Sequence, residues 1–120
     1  MQQTLDQRIA HLTHEAYEHL KSQVPGKELP GYIKKTATRL RVSGLGVTVA
    51  FCLKDQQLAS IAHHVATVLH RLGLPHVREN HAESLLSAYR QASAIEVRRL
   101  QVYAEQVLEW LAKWADTYKQ

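Results

Sequence analysis

The helix-breaking residues of this sequence are few, and they stop early. All five glycines and all three prolines lie at or before Pro75, so residues 76–120 contain neither type. A chain without these residues can form long uninterrupted helices. The breakers cluster, and they divide the earlier part of the chain into segments at Pro25–Gly26, Pro30–Gly31, Gly44–Gly46 and Gly73–Pro75. We therefore expect a few short helical segments followed by one or two long ones.

Apolar residues within these segments recur every three or four positions, which is the period of a helix that buries one face. The first stripe follows Thr4 and Gln7, whose spacing is that of a capping box. The three clearest stripes begin at Leu5 (with Ile9, Leu12, Ala16, Leu20), at Leu58 (with Ile61, Ala62, Val65, Ala66, Leu69, Leu72) and at Leu100 (with Ala104, Val107, Leu108, Leu111, Trp114, Ala115, Tyr118). No partner strands are evident, so the pattern predicts an all-α fold.

Several boundaries follow from local signals. A second helix should run from about Tyr32 to Val42 after a break at Leu29–Gly31, and Gly44 should end it. Residues 45–53 are apolar and could form a strand or a short, fully buried helix, and the lack of a partner strand favours the helix. Asn80 is a candidate cap for the following helix, with a possible break at residues 87–89.

Length and composition predict a single helical domain over residues 1–120, a bundle of five or six helices. Hydrophobic residues make up 45% of the chain, which is too many for intrinsic disorder. The only cysteine is Cys52, so an internal disulfide and a cysteine-based zinc cluster are excluded. The chain contains no run of about 18 apolar residues that could span a membrane, and its first residues do not form a secretory signal. We expect a cytoplasmic protein.

Positive charge is concentrated in one stretch. The whole chain carries a formal net charge of +4, yet residues 21–41 contain six basic residues and Glu28 as the only acid. On a helix, Lys34, Lys35 and Arg41 project roughly opposite to the apolar face, and Arg39 lies at its edge. A polyanion such as nucleic acid is the partner that this pattern favours. A solvated, solubilising helix face is the equally weighted alternative.

Motifs for catalysis or metal binding are incomplete. His14 and His19 are five residues apart, whereas a zinc-protease helix needs a spacing of four. His11 and His14, with Glu18, could share a face, although solvated histidines are the simpler interpretation. The glycines of residues 43–46 lack the lysine–hydroxyl pair of a phosphate loop. The sequence therefore predicts no catalytic residue, no cofactor and no metal site.

Further basic and aromatic residues lie in the last third of the chain. Arg90, Arg98 and Arg99 could extend the first basic patch or form a second one. Trp110 and Trp114 are four residues apart, a spacing that favours core packing, and an exposed Trp110 would point to a subunit interface before base stacking.

The order of four segments resembles a known family. They are Leu29-Pro30-Gly31-Tyr32-Ile33, Ser43-Gly44-Leu45-Gly46-Val47-Thr48-Val49-Ala50-Phe51, Tyr89-Arg90-Gln91-Ala92-Ser93 and Glu109-Trp110-Leu111-Ala112-Lys113-Trp114-Ala115. In this order and spacing the chain resembles the small helical subunit of the Cmr complex, the type III-B CRISPR effector. Ser43 replaces the asparagine of the family's central block and Val47 replaces its glutamine. A related small subunit of another type III complex is the alternative.

The resemblance implies a non-catalytic structural subunit in antiviral defence. Copies of it would stack in a filament beside the backbone subunit, which holds the guide RNA and cleaves the target. The residues expected to contact the backbone of guide and target RNA are Lys34, Lys35, Arg39, Arg41, Arg90, Arg98 and Arg99. Base pairing supplies the sequence discrimination, so phosphate contacts are sufficient for the protein. A helical protein–protein adaptor without RNA contact is the second hypothesis, and a small hydrolase or metal enzyme is the third.

Overall fold

Six helices account for most of the computed structural model, which describes residues 2–118. They are α1 (Leu5–Gln23), α2 (Leu29–Ser43), α3 (Leu45–Cys52), α4 (Gln56–Arg71), α5 (Glu83–Gln91) and α6 (Ala94–Thr117). No strand occurs in this described range, where one isolated bridge joins Arg78 and His81. The all-α class and the six-helix bundle are confirmed. Met1, Lys119 and Gln120 belong to the predicted domain of residues 1–120 but lie outside the described residues.

The start of α1 has the predicted capping box. The backbone N–H of Gln7 donates to Thr4 Oγ1 at 3.1 Å, and the N–H of Thr4 donates to Gln7 Oε1 at 2.9 Å. Asp55 caps α4 in a related way, since its Oδ1 accepts from the N–H groups of Gln57 and Leu58. Both caps satisfy N–H groups that have no partner within the helix.

Helix α2 begins earlier than the sequence suggested. It starts at Leu29 and holds Pro30 in its first turn, so the predicted break at Leu29–Gly31 was wrong. Proline is tolerated there because the first N–H groups of a helix have no intrahelical acceptor. The other end agrees with the prediction, because Gly44 stops α2 with a φ of +83°.

Helix α3 confirms the choice of helix over strand for residues 45–53, but it is not fully buried. Leu45, Thr48, Val49 and Cys52 face the core, while Val47 is 57% exposed. The apolar run therefore gives the helix an inward face and leaves part of its outer surface apolar.

The junction around α5 differs most from prediction. Asn80 adopts a positive φ of 53° in a loop, and α5 begins at Glu83 after an uncapped Ala82. The break predicted at residues 87–89 falls at Ala92–Ser93 instead. Ser93 and Glu96 form a second capping box there, with N···O distances of 3.2 and 2.9 Å. That cap is readable in the sequence as Ser-x-x-Glu and was missed.

The core forms around α6, which packs against α1, α2 and α4, while α3 fits between α2, α4 and α5. The largest fully buried side chains come from five helices: Ile9, Leu20, Leu29, Ile33, Leu40, Ile61, Val68, Leu69, Leu85, Leu108 and Leu111. Tyr118 was expected on the buried face of α6 but is 44% exposed. Helices α2 and α6 are antiparallel, because Gln101 Nε2 donates to the Leu40 carbonyl at 3.0 Å and Lys34 approaches Asp116 at the far end.

Candidate nucleic-acid interface

The four basic residues predicted on α2 lie on one helix, outside its packed face. We call Lys34, Lys35, Arg39 and Arg41 the α2 strip. The opposite face of α2 buries Ile33, Thr36, Ala37 and Leu40. Lys34, Lys35 and Arg41 are exposed and Arg39 is half-buried, in agreement with its predicted place at the edge of the face. The position of these charges therefore follows from the burial of the apolar stripe.

A shallow groove runs along one side of the strip. It has a volume of about 450 Å³, and its lining residues are Lys34, Lys35, Thr38, Arg39, Val42 and Ser43. Three of the six are cationic and none is acidic, so the groove concentrates positive potential.

Phe51 of α3 forms a platform beneath two of these cations. The guanidinium Cζ of Arg39 lies 3.7 Å from the centroid of the Phe51 ring, and Lys35 Nζ lies 5.7 Å from it. Both distances are within the range of cation–π attraction. Arg39 Nε is buried and has no hydrogen-bond partner among the described residues. The ring is thus the contact that orients this guanidinium.

A second groove lies on the other side of α2, against α6. Its volume is about 440 Å³, and it is lined by Lys34, Ala37, Thr38, Arg41, Leu108, Glu109, Ala112 and Lys113. Lys113 therefore joins the cationic surface, although sequence reasoning did not select it. Its Nζ sits 4.9 Å from the Trp110 ring. Only the antiparallel register of α2 and α6 brings Lys113 beside the strip, and no local sequence signal reveals that register.

One member of the strip has an acidic partner. Lys34 Nζ is 3.4 Å from Asp116 Oδ1, and both side chains are 59% exposed. An exposed pair of this kind contributes about 0–1 kcal/mol and is weakened by salt. Within residues 2–118, the ion pairs of the structure do not include Lys35, Arg39 or Arg41. Three of the four cations of the strip therefore have no acidic partner in this range.

The other three predicted arginines lie in three different places of the fold. Arg98 and Asp116 are separated by 18 residues of α6, or about five turns, so Arg98 lies on the face next to α2, at its far end. Arg99 instead lines a small cavity beside Pro75. Arg90 lies in the last turn of α5, which packs against α3.

The residues considered for catalysis have other roles. Cys52 is buried, and this burial raises the pKa of its thiol, which disfavours the reactive thiolate. His11 lies 3.5 Å from Glu15 and His14 lies 3.8 Å from Glu18 on the surface of α1. Among residues 2–118, no cluster of three or more His, Cys, Asp or Glu side chains is placed to hold a metal ion.

The two tryptophans attach α6 to α1. Trp114 Nε1 donates to Thr13 Oγ1 and Trp110 Nε1 donates to Asp6 Oδ1, both at 3.0 Å. Their rings are stacked with centroids 5.4 Å apart, and both side chains are half-buried. The interpretation as packing residues agrees with these contacts, and part of each ring stays accessible at the surface.

Fold and surface together define a small all-α protein with a cationic face on one helix. The sequence model of the family Cas_Cmr5, CRISPR-associated protein, matches residues 5–118, and the chain belongs to this family. It is accordingly a small structural subunit of the CRISPR Cmr effector complex, as the resemblance indicated. No curated protein and no solved structure gives a significant match. None of the helices over residues 2–118 is long and apolar enough to cross a membrane.

Proposed function

We propose that this chain acts without catalysis in the Cmr complex and that its α2 strip contacts the phosphate backbone of the guide–target RNA duplex. The observation that carries this proposal is the strip itself. Its four cations lie outside the packed face of α2 and line two grooves, and within residues 2–118 only Asp116 is within ion-pair distance of any of them, while Glu109 lines the second groove. Lysine and arginine bind phosphates without reading bases, which suits a particle whose specificity comes from base pairing.

Exposed apolar side chains support a role in assembly. Val42 and Val47 flank the corner between α2 and α3, and they are 80% and 57% exposed. Tyr89 lies against Gly46 of the same corner. Ile95 and Val102 in the first half of α6 are also exposed. We propose that this end of the bundle contacts another copy in a filament or the backbone subunit, since exposed apolar patches mark such interfaces.

Head-to-tail contacts between identical copies generate an open filament. Each copy would then add a few weak phosphate contacts, and repetition along the duplex would raise the total affinity. RNA cleavage would remain with the backbone subunit. Arg98 would extend the strip at its far end, while Arg90 and Arg99 would make separate contacts with RNA.

The test is RNA binding by a quadruple variant. The full chain is titrated with a short fluorescent RNA duplex at salt concentrations from about 50 to 200 mM. The wild-type chain should bind weakly, without sequence preference, and less at high salt. Replacing Lys34, Lys35, Arg39 and Arg41 with alanine should weaken binding at low salt about tenfold or more and reduce the log–log salt slope by about 3.

A matched control removes the same charge elsewhere. Arg8, Lys21, Lys27 and Arg78 are exposed and line neither groove. Their replacement by alanine should cost much less affinity, and both variants should keep wild-type helicity. Equal losses in the two variants, or wild-type binding by the strip variant, would contradict the proposed interface. A wild-type chain that binds no RNA at low salt would favour the adaptor function instead.

A further inference from the structure

We infer that Phe51 is a positioning residue that holds Arg39 and Lys35 together, so that the two cations form one preorganised binding site for a backbone phosphate. This inference rests on the proposed function and adds to it a residue that carries no charge. Phe51 is the only phenylalanine of the chain, and it lies at the end of α3 rather than on the strip.

The first argument is that Arg39 has no ion pair, and its buried Nε no hydrogen bond, that would fix its position within the described residues. The guanidinium Cζ lies over the ring, 3.7 Å from its centroid, within the range of cation–π attraction. This contact holds the cation without using hydrogen-bond donors, so the Nη groups remain able to donate to a phosphate.

The second argument concerns the pair of charges. Lys35 and Arg39 are four residues apart on α2, so their side chains are neighbours and repel each other. Both nevertheless face the same ring, with Lys35 Nζ 5.7 Å from its centroid. The negative face of an aromatic ring reduces this repulsion only in part. An anion placed between the two cations would offset their mutual repulsion. The groove of about 450 Å³ beside them has room for a phosphate.

The experiment uses the full chain and the same RNA duplex, with four variants. Phe51→Leu keeps an apolar side chain of similar size, and Phe51→Tyr keeps the ring. Arg39→Ala removes the positioned cation, and the fourth variant combines Phe51→Leu with Arg39→Ala. Thermal unfolding and circular dichroism establish that each variant is folded.

We expect Phe51→Leu to weaken RNA binding about threefold to tenfold and to reduce the salt slope by about 0.7–0.9, as one lost phosphate contact would. Phe51→Tyr should bind within about twofold of the wild type. The double variant should bind no more than about twofold more weakly than Arg39→Ala alone, because the two-cation phosphate site is already lost without Arg39. In ¹⁵N spectra, the ring-current shift of Arg39 Nε–H should disappear in Phe51→Leu.

Three results would overturn the inference and leave the proposed function standing, provided that the quadruple strip variant still loses binding. One is wild-type binding by Phe51→Leu. Another is a loss of binding free energy in the double variant equal to the sum of the losses in the two single variants. The third is an unchanged Arg39 Nε–H resonance in Phe51→Leu. If the wild-type chain binds no RNA, or the strip variant binds normally, the proposed function itself fails and the inference fails with it.

Discussion

His64 should make the stability of this protein depend on pH. Its ring is buried on α4, stacked 6.0 Å from the ring of His19, and its Nε2 lies 2.9 Å from Gln23 Oε1. Burial, together with the neighbouring imidazoles of His19 and His63, lowers the pKa of His64 from 6.5 to about 4, and burial is the largest cause. The folded protein therefore resists protonation at a position where the unfolded chain accepts a proton.

The sign and size of the effect follow from linkage. Because the folded pKa lies below the unfolded one, the contribution is fully present above pH 6.5 and is lost as the pH falls towards about 4. Between pH 7 and pH 5 the difference between the two pKa values amounts to about 2 kcal/mol of stability. The free energy of unfolding should fall by this amount in addition to the contribution of other groups.

Urea denaturation at pH 7 and pH 5 measures the effect. His64→Gln keeps a polar side chain that cannot be protonated. Between pH 7 and pH 5, the free energy of unfolding of this variant should therefore fall by about 1–2 kcal/mol less than that of the wild type. His11→Gln is the matched control, since the His11 side chain is 62% exposed, and it should leave the pH dependence nearly unchanged. If His64→Gln loses as much stability as the wild type between pH 7 and pH 5, the reasoning is refuted.

Three further substitutions test the fold and the strip. Ser93→Ala removes the N-cap of α6 and should lower the free energy of urea unfolding by about 1 kcal/mol, whereas an unchanged value would show that the cap is dispensable. Gly44→Ala forces a side chain onto a φ of +83° and should cost about 1–3 kcal/mol in the same assay, and a neutral result would contradict this strain. Asp116→Asn removes the acidic partner of Lys34 and should raise RNA affinity about twofold at low salt. The gain in affinity should disappear at high salt, where the ion pair is screened in the wild type as well. Weaker RNA binding by this variant would count against the role of Lys34.

The sequence predicts the helices well where the apolar period is long. The stripe from Leu58 to Leu72 corresponds to α4, and the stripe starting at Leu100 corresponds to the main part of α6. Periodicity succeeds there because the same packing forces act along several turns. Boundaries are less readable, because Pro30 is compatible with both a break and a first helical turn, and tertiary packing decides between them.

The candidate site was only partly predictable for a related reason. The arrangement of Lys34, Lys35, Arg39 and Arg41 depends on one helix, so the helical period is enough to place them. Lys113 joins the same surface through the register of α2 and α6, and Phe51 does so through the packing of α3 on α2. These contacts are long-range, and a single sequence does not specify them.

The central claim is that a cationic helix face of this chain contacts RNA within the Cmr complex. The most direct measurement is the protein and nucleic-acid content of the native complex recovered with the full chain at low salt. We expect other Cmr subunits together with guide RNA, and we expect RNA crosslinks to the tryptic peptides that contain α2. Recovery of protein partners with no RNA, or of RNA that crosslinks equally to every surface of the chain, would contradict the account.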